Sequence, residues 1–320
     1  MSETLCGRLY GSTVGAVGLM LLLFAAGCAR RDTRKLIAII VPSQENPYFK
    51  TEAEAAANRA RALGYRVRVD SHNDDAYQQD NLVDAAIASN AAALILDNAG
   101  SDASISAVRR AAKAGIAVFL IDREIAASGL AKAQILSDND GGARMVAGEF
   151  VRVLGGKGKY AELLGRESDT NAQIRTRGFH AVLDADHGLH EIAAQSANWS
   201  AEEAFQKTET ILQAHADLNG IIAGNDTMAL GAAAAVKSAG RRDIRITGFD
   251  GSPDALAAIR SGELQATALQ PAVYISNLAV DEADRYLHTG ATGLPEHQSI
   301  ACNLVTSFNV NDFRDFEKIR

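Results

Sequence analysis

Leu36-Ile37-Ala38-Ile39-Ile40-Val41-Pro42-Ser43-Gln44-Glu45-Asn46-Pro47-Tyr48-Phe49 runs from six apolar residues into a polar loop bounded by prolines and aromatic rings. The apolar part reads as a strand over 36–41. A helix over 49–63 follows, with Phe49, Ala53, Ala56, Ala60 and Leu63 on one face and charged residues elsewhere, and it stops at Gly64 in the C′ position. Glycines also follow the helices that end near Ala114 and Ala239. Short runs rich in Ile, Val and Leu recur at 65–70, 92–97, 116–121, 159–164, 190–196, 219–223, 244–249 and 264–269, with helical periodicity between them. That alternation predicts βαβ units, a mainly parallel sheet and an α/β fold. So many units exceed one compact sheet, and a division into two bodies is expected. The extended stretch 133–138, with Gly141-Gly142 just beyond, is the candidate crossover between them.

Ahead of the first strand, Arg8 precedes a largely apolar run from Leu9 to Gly27, whose core is Leu19-Met20-Leu21-Leu22-Leu23-Phe24. This reads as an export signal, and a retained membrane anchor is the alternative reading of the same run. Cys6 and Cys28 fall within residues 1–28, the expected signal, which leaves Cys302 as the one cysteine of the body and no basis for an internal disulfide framework. Stability must come from hydrophobic cores, which the 47% hydrophobic composition permits. The formal net charge of −7 gives no footprint for nucleic acid, and the basic cluster Arg30, Arg31, Arg34 and Lys35 reads as a solvated tether.

In open α/β sheets ligands sit beyond the carboxyl ends of the strands, so the residues just past each apolar run carry the functional information. These are the loop from Pro42 to Phe49, Asp97-Asn98, Asp122-Arg123, Asn225-Asp226, Asp250 and Gln270-Pro271. Carboxylates accept hydrogen bonds from hydroxyls, Arg offers a planar fork of donors, and Asn and Gln do both. Tyr48, Phe49 and Trp199 offer rings on which the apolar face of a sugar or polyol can pack. Taken singly, an Asp or Asn after a strand is often only a helix cap, as Asp226 and Ser252 are expected to be. The functional reading rests on such residues ending strands in both halves, where two lobes would bring them face to face. The inventory describes a pocket for a small polyhydroxylated molecule.

At these residues the chain resembles the ribose-binding-protein group of periplasmic sugar binders. The resemblance rests on Asn46-Pro47-Tyr48-Phe49, Leu120-Ile121-Asp122-Arg123, Ser137-Asp138-Asn139, Gly224-Asn225-Asp226-Thr227-Met228-Ala229-Leu230-Gly231, Gly248-Phe249-Asp250-Gly251-Ser252-Pro253-Asp254 and Ala266-Thr267-Ala268-Leu269-Gln270. It spans nearly the whole body from about Arg34 and implies a type I periplasmic binding fold, two Rossmann-like three-layer lobes joined by three crossings near 137, 270 and 293. The implied N-terminal lobe is 35–137 plus 271–292, and the C-terminal lobe is 138–270 plus 293–320. Ligand contacts carried over position by position are Asn46, Tyr48, Phe49, Asp122, Arg123, Arg175, Trp199, Asn225, Asp250 and Gln270. Asp97 stands where the ribose binder has Asn and adds a carboxylate to the expected set. Trp199 replaces a smaller ring, which favours a pentose or short polyol over a hexose.

The resemblance also implies a monomer that hands its solute to the membrane permease of an ABC importer, with no cofactor. Ala25-Ala26-Gly27-Cys28 resembles a lipobox, so residues 1–28 are read as a lipoprotein signal, Cys28 as the lipid-carrying residue and 29–34 as the tether, with cleavage but no lipidation as the alternative. The expected location is the periplasm or cell envelope, with membrane contact through the lipid anchor. Paired carboxylates such as Asp122 and Asp250 would in principle serve a glycosidase. No phosphate loop, nucleophile elbow or His-Glu-x-x-His supports an enzyme, and no metal site is expected. A sugar sensor that docks to a membrane receptor would use the same pocket.

Overall fold

The computed structural model of the protein describes residues 33–319; the expected export signal, Cys28 and most of the tether lie outside them. The first half comprises β1 (Leu36–Val41), α1 (Pro47–Ala62), β2 (Arg66–Ser71), α2 (Ala76–Ala88), β3 (Ala93–Leu96), α3 (Ile105–Lys113), β4 (Ala117–Ile121) and β5 (Ala133–Ser137). The second comprises α4 (Asn139–Leu154), β6 (Gly158–Leu164), α5 (Thr170–Leu183), β7 (Leu189–Ser196), α6 (Ala201–Ala214), β8 (Leu218–Ala223), α7 (Asp226–Ser238), β9 (Arg245–Thr247), α8 (Pro253–Ser261) and β10 (Ala266–Leu269). The chain ends with α9 (Ala272–Thr289), β11 (His297–Ile300), β12 (Asn303–Thr306) and a short hairpin of β13 (Phe313–Arg314) and β14 (Glu317–Lys318). Among the described residues no helix is long and apolar enough to cross a membrane.

Two six-stranded sheets form, in the orders β11-β5-β4-β3-β1-β2 and β12-β10-β9-β8-β6-β7. Every pairing in them is parallel except that of β10 with β12. The continuous apolar runs follow from burial on both faces. Ile37, Ile39 and Val41 pack with α1 and α9, while Leu36, Ala38 and Ile40 pack with α2 and α3. The second sheet is covered likewise, by α6, α7 and α8 on one face and α4 and α5 on the other. Each sheet with its two helical layers is one lobe of an α/β fold.

The crossovers differ from expectation in two places. Residues 133–137 are not merely a connection: β5 pairs in register with β4, Phe119 opposite Ala133, and the chain leaves the first sheet only after it. The last crossing falls between Ile300 and Asn303 rather than near 293, because β11 hydrogen-bonds to β5 in the first sheet before β12 joins β10 in the second. The helix expected over 49–63 begins earlier, at Pro47. Pro fits the first turn, where no backbone donor is needed, and the Asn46 side chain caps it by accepting from the Tyr48 N–H at 3.0 Å.

Candidate functional site

The carboxyl ends of both sets of strands face one narrow cleft. Its lining comes from both lobes and from the crossings between them. Asn46, Tyr48 and Phe49 arrive from the start of α1, and Asp122 and Arg123 from the end of β4. From the second lobe come Arg175 on α5, Trp199 after β7, Asn225 at the cap of α7 and Asp250 after β9, with Gln270 at a crossing. Ten of the eleven residues singled out from the sequence therefore share one cavity.

Arg123 is the hub on the first lobe. Its Nη1 donates to Asp74 Oδ1 at 2.7 Å and to the Asn98 carbonyl at 3.0 Å, and the guanidinium lies 5.0 Å from the centre of the Phe49 ring. Nε sits 2.9 Å from Asp169 Oδ2, 3.5 Å from Asp97 Oδ1 and 3.8 Å from Asp122 Oδ2. Asp74 and Asp169, rather than the adjacent Asp122, are the closer partners of Arg123. Burial and the charge of Asp169 push the Asp122 carboxyl up to about 6, against the opposing pull of Arg123 and Arg175.

On the second lobe Arg175 is fixed from several sides. Nε donates to Asn139 Oδ1 at 2.7 Å, Nη1 to the Gly224 carbonyl at 2.9 Å, and Nη1 also meets Asp250 Oδ1 at 3.3 Å. Its guanidinium stacks on Phe249 and Trp199, 3.9 and 5.5 Å from the ring centres. Gln270 Nε2 donates to the same Asp250 oxygen at 2.8 Å. Burial holds the Asp250 carboxyl well above the ordinary carboxylate range, while Arg175 pulls it down. Asn225 caps α7 through the Met228 N–H. Asp226, expected to be a cap, is instead a buried brace that accepts from the Ser252 N–H and the Thr267 hydroxyl, both at 2.7 Å.

Several cleft atoms are buried and have no hydrogen-bond partner in the protein: the Tyr48 hydroxyl, Asp122 Oδ1, Arg123 Nη2 and Gln270 Oε1. They include donors and acceptors from the first lobe and a crossing. Buried polar groups are nearly always paired, so this convergence marks a place built for a ligand that supplies both kinds of partner. The backbone is strained at the same place. Asp122, Trp199 and Asp250 have φ of +57°, +66° and +122°, conformations costing on the order of 1–3 kcal/mol each and concentrated at functional sites.

Asp97 is the residue that the structure places elsewhere. β3 ends at Leu96, and strand alternation turns position 97 to the face of Ile95, toward α1 rather than into the cleft. There, fully buried behind Arg123, it meets Glu52 of α1. Burial and the charges of Asp97 and Asp122 push the Glu52 carboxyl well above its usual range. Two cleft residues went unrecognised in the sequence. Asp169, the cap of α5, accepts from Trp199 Nε1 at 3.2 Å, and Asn171 donates from Nδ2 to the Asp122 carbonyl at 3.0 Å. Asn171 is one helical turn before Arg175, and that spacing was the available signal.

The family model described as periplasmic binding protein domain matches residues 37–291. The chain belongs to this family. Among periplasmic binding proteins with curated descriptions, the D-apiose import binding protein of Paraburkholderia graminis is 54% identical over 294 residues, 92% of this chain and 94% of that one. The D-apiose import binding protein of Actinobacillus succinogenes is 48% identical over 299 residues, 93% of this chain and 96% of that one. Among solved structures of such proteins, an ABC transporter periplasmic solute-binding protein of Actinobacillus succinogenes with bound D-allose is 28% identical. It superposes with a TM-score of 0.82, over 88% of this chain and 100% of that one.

Proposed function

We propose that the protein is the exported sugar-binding component of an ABC-type importer and that it captures D-apiose, or a pentose closely like it, between its two lobes. The observation that carries this is the cleft itself, with its rings and its buried donors and acceptors that have no partner in the protein. The names of the two relatives narrow the sugar. Apiose is a branched five-carbon sugar whose clustered hydroxyls each give and accept a hydrogen bond, the pattern that Asp122, Arg123 and Gln270 present. Phe49 and Trp199 are placed to cover its carbon face, and Asn46, Tyr48, Arg175, Asn225 and Asp250 complete the contacts. The reading is of binding without chemistry: the Asp250 carboxylate, one half of any glycosidase pair with Asp122, is engaged by Arg175 and Gln270.

A thermal-shift series over D-apiose, D-ribose, D-allose, myo-inositol and glycerol tests the sugar. A ligand that binds only the folded state stabilises by about 2.7 kcal/mol at a hundredfold excess over Kd, so D-apiose should raise the melting temperature most. No response to any of the five would sink the proposal, and a larger response to D-ribose would replace the sugar while keeping the class. Export belongs to the same reading: the apolar segment ending at Cys28 directs the chain out of the cytoplasm, and Cys28 carries the lipid. Mass spectrometry of the native protein should find a mature chain starting at an acylated Cys28. An unmodified Cys28 would remove the anchor.

A further inference from the structure

Away from the cleft, three carboxylates surround one imidazole on the α4 and α5 side of the second sheet. His180 of α5 places Nε2 3.0 Å from Glu162 Oε2 of β6 and 3.4 Å from Glu191 Oε2 of β7, the edge strand. One ligand atom from each lies within 4.8 Å of the other two. Tetrahedral Zn²⁺ with bonds of about 2.0–2.2 Å holds its ligand atoms roughly 3.3–3.5 Å apart, so only small side-chain movements would seat an ion among them.

The outer contacts match those of a metal centre. His180 Nδ1 lies 3.1 Å from Asp184 Oδ1, and the Thr176 hydroxyl donates to Glu162 Oε1 at 2.6 Å, leaving Nε2 and Oε2 turned inward. Metal-binding histidines regularly give their second nitrogen to a carboxylate in this way, and metal-binding carboxylates are themselves hydrogen-bonded. Charge points the same way. Glu162 is 1% exposed, and among the described residues His180 is the one cation-forming side chain in ion-pair reach of Glu162, Asp184 and Glu191. Glu162 is the buried carboxylate of the three, and buried carboxylates are paired or coordinate metals; Glu191 brings a second, partly buried carboxylate to the same imidazole nitrogen, while Asp184 is solvent-exposed. Glu191 and His180 are partly exposed, which gives an ion and a completing water a way in.

We propose that Glu162, His180 and Glu191 form a binding site for Zn²⁺ or a similar first-row divalent ion, with Asp184 and Thr176 orienting the ligands. No motif announces the site, because each ligand comes from a different element. The ion would tie α5 to β6 and to the edge strand β7. Since α5 carries Asn171 and Arg175 at its other end, the site is a brace for the element that presents them to the cleft.

Tag-free, metal-stripped protein titrated calorimetrically with ZnCl₂ is the test. Saturable one-to-one binding and a raised melting temperature are expected. Asp184→Asn should weaken Zn²⁺ by about tenfold or more, the usual effect of losing an orienting partner, and His180→Gln should weaken it further. If His180→Gln does not fold, Glu191→Gln, at a part-exposed position on an edge strand, carries the same test. Absence of Zn²⁺ binding by the native protein would overturn the proposal. Binding unchanged in His180→Gln or Glu191→Gln, or an equal response to Mg²⁺ showing mere acidic screening, would do the same. The brace is independent of sugar identity, so the sugar series can fail while the zinc titration succeeds.

Discussion

Asp122 and Arg123 adjoin in sequence but perform different tasks. Asp122 offers the cleft one carboxylate oxygen, Oδ1, that has no partner in the protein, while Arg123 offers Nη2 and is held by Asp74, the Asn98 carbonyl and Asp169. Losing one member of a closed, charged hydrogen-bonding set costs about 2–5 kcal/mol of binding. Calorimetric titration with the cognate sugar should therefore show Asp122→Ala and Arg123→Ala weakening Kd at least about thirtyfold, and wild-type affinity in both folded variants would refute the assignment. A pH dependence follows as well. Burial and the charge of Asp169 hold Asp122 at about 6, and sugar hydroxyls donate to its ionised form. Affinity should then be flat above that pH and fall as pH drops through it, by up to roughly tenfold per unit, and Asp122→Asn should flatten the curve. The raised carboxyl of Glu52 acts in the other direction on stability: protonation is favoured in the folded chain, so this stabilising influence is complete at acid pH and is lost as pH rises.

The strand ends show what was legible in the sequence and what was not. Short runs rich in Ile, Val and Leu, alternating with helical periodicity, defined nine of the fourteen strands of the described residues to within a few residues, while β5 was read as a connection. Polar residues immediately after those runs pointed to the cleft, because parallel strands in one lobe all end on the same side. β11 and β12 escaped notice because they are four-residue edge strands of mixed polarity, with no apolar run to mark them. Asp169 and Asn171 escaped because they follow β6 by several residues and look like an ordinary helix cap. The direction of Asp97 depended on which face of β3 ends at its last residue, a matter of register that composition does not encode. Gly165, just past β6, gives this scale its own test. A Cβ there would lie 2.0 Å from the Trp199 ring, so the indole lies against a bare backbone. Gly165→Ala must push the ring into the cleft or shift the strand end. Overpacking of this kind costs about 1–3 kcal/mol, and the variant should lose melting temperature and sugar affinity together. Unchanged affinity would mean that the indole does not fix the shape of the pocket.

Across the whole molecule, the lobes touch through polar contacts made on either side of the cleft. Arg123 meets Asp169, Asn171 donates to the Asp122 carbonyl, and Arg166 lies 3.7 Å from Asp74. Each contact joins a residue of the first lobe to one of the second, and they exist only while the lobes are together. The proposed sugar contacts divide in the same way, so neither lobe alone surrounds a ligand. A ligand that touches both lobes shifts the population toward the closed form by its differential affinity for that form. Driving a lobe equilibrium from 1:99 to 99:1 takes about 5.5 kcal/mol of such preference, within reach of several charge-assisted hydrogen bonds. Trp199, the single tryptophan of the chain, is wired to this step: its indole N–H donates to Asp169, the second-lobe half of the pair with Arg123. The cognate sugar should therefore change tryptophan emission saturably, and small-angle scattering should show the radius of gyration falling at the same concentrations. Asp169→Asn removes the charge from the contact between lobes, so it should weaken sugar binding and reduce the emission change at equal occupancy. If the sugar bound tightly while emission and radius both stayed constant, the two lobes would form a rigid preformed pocket, and a closure for the importer to recognise would have to be given up.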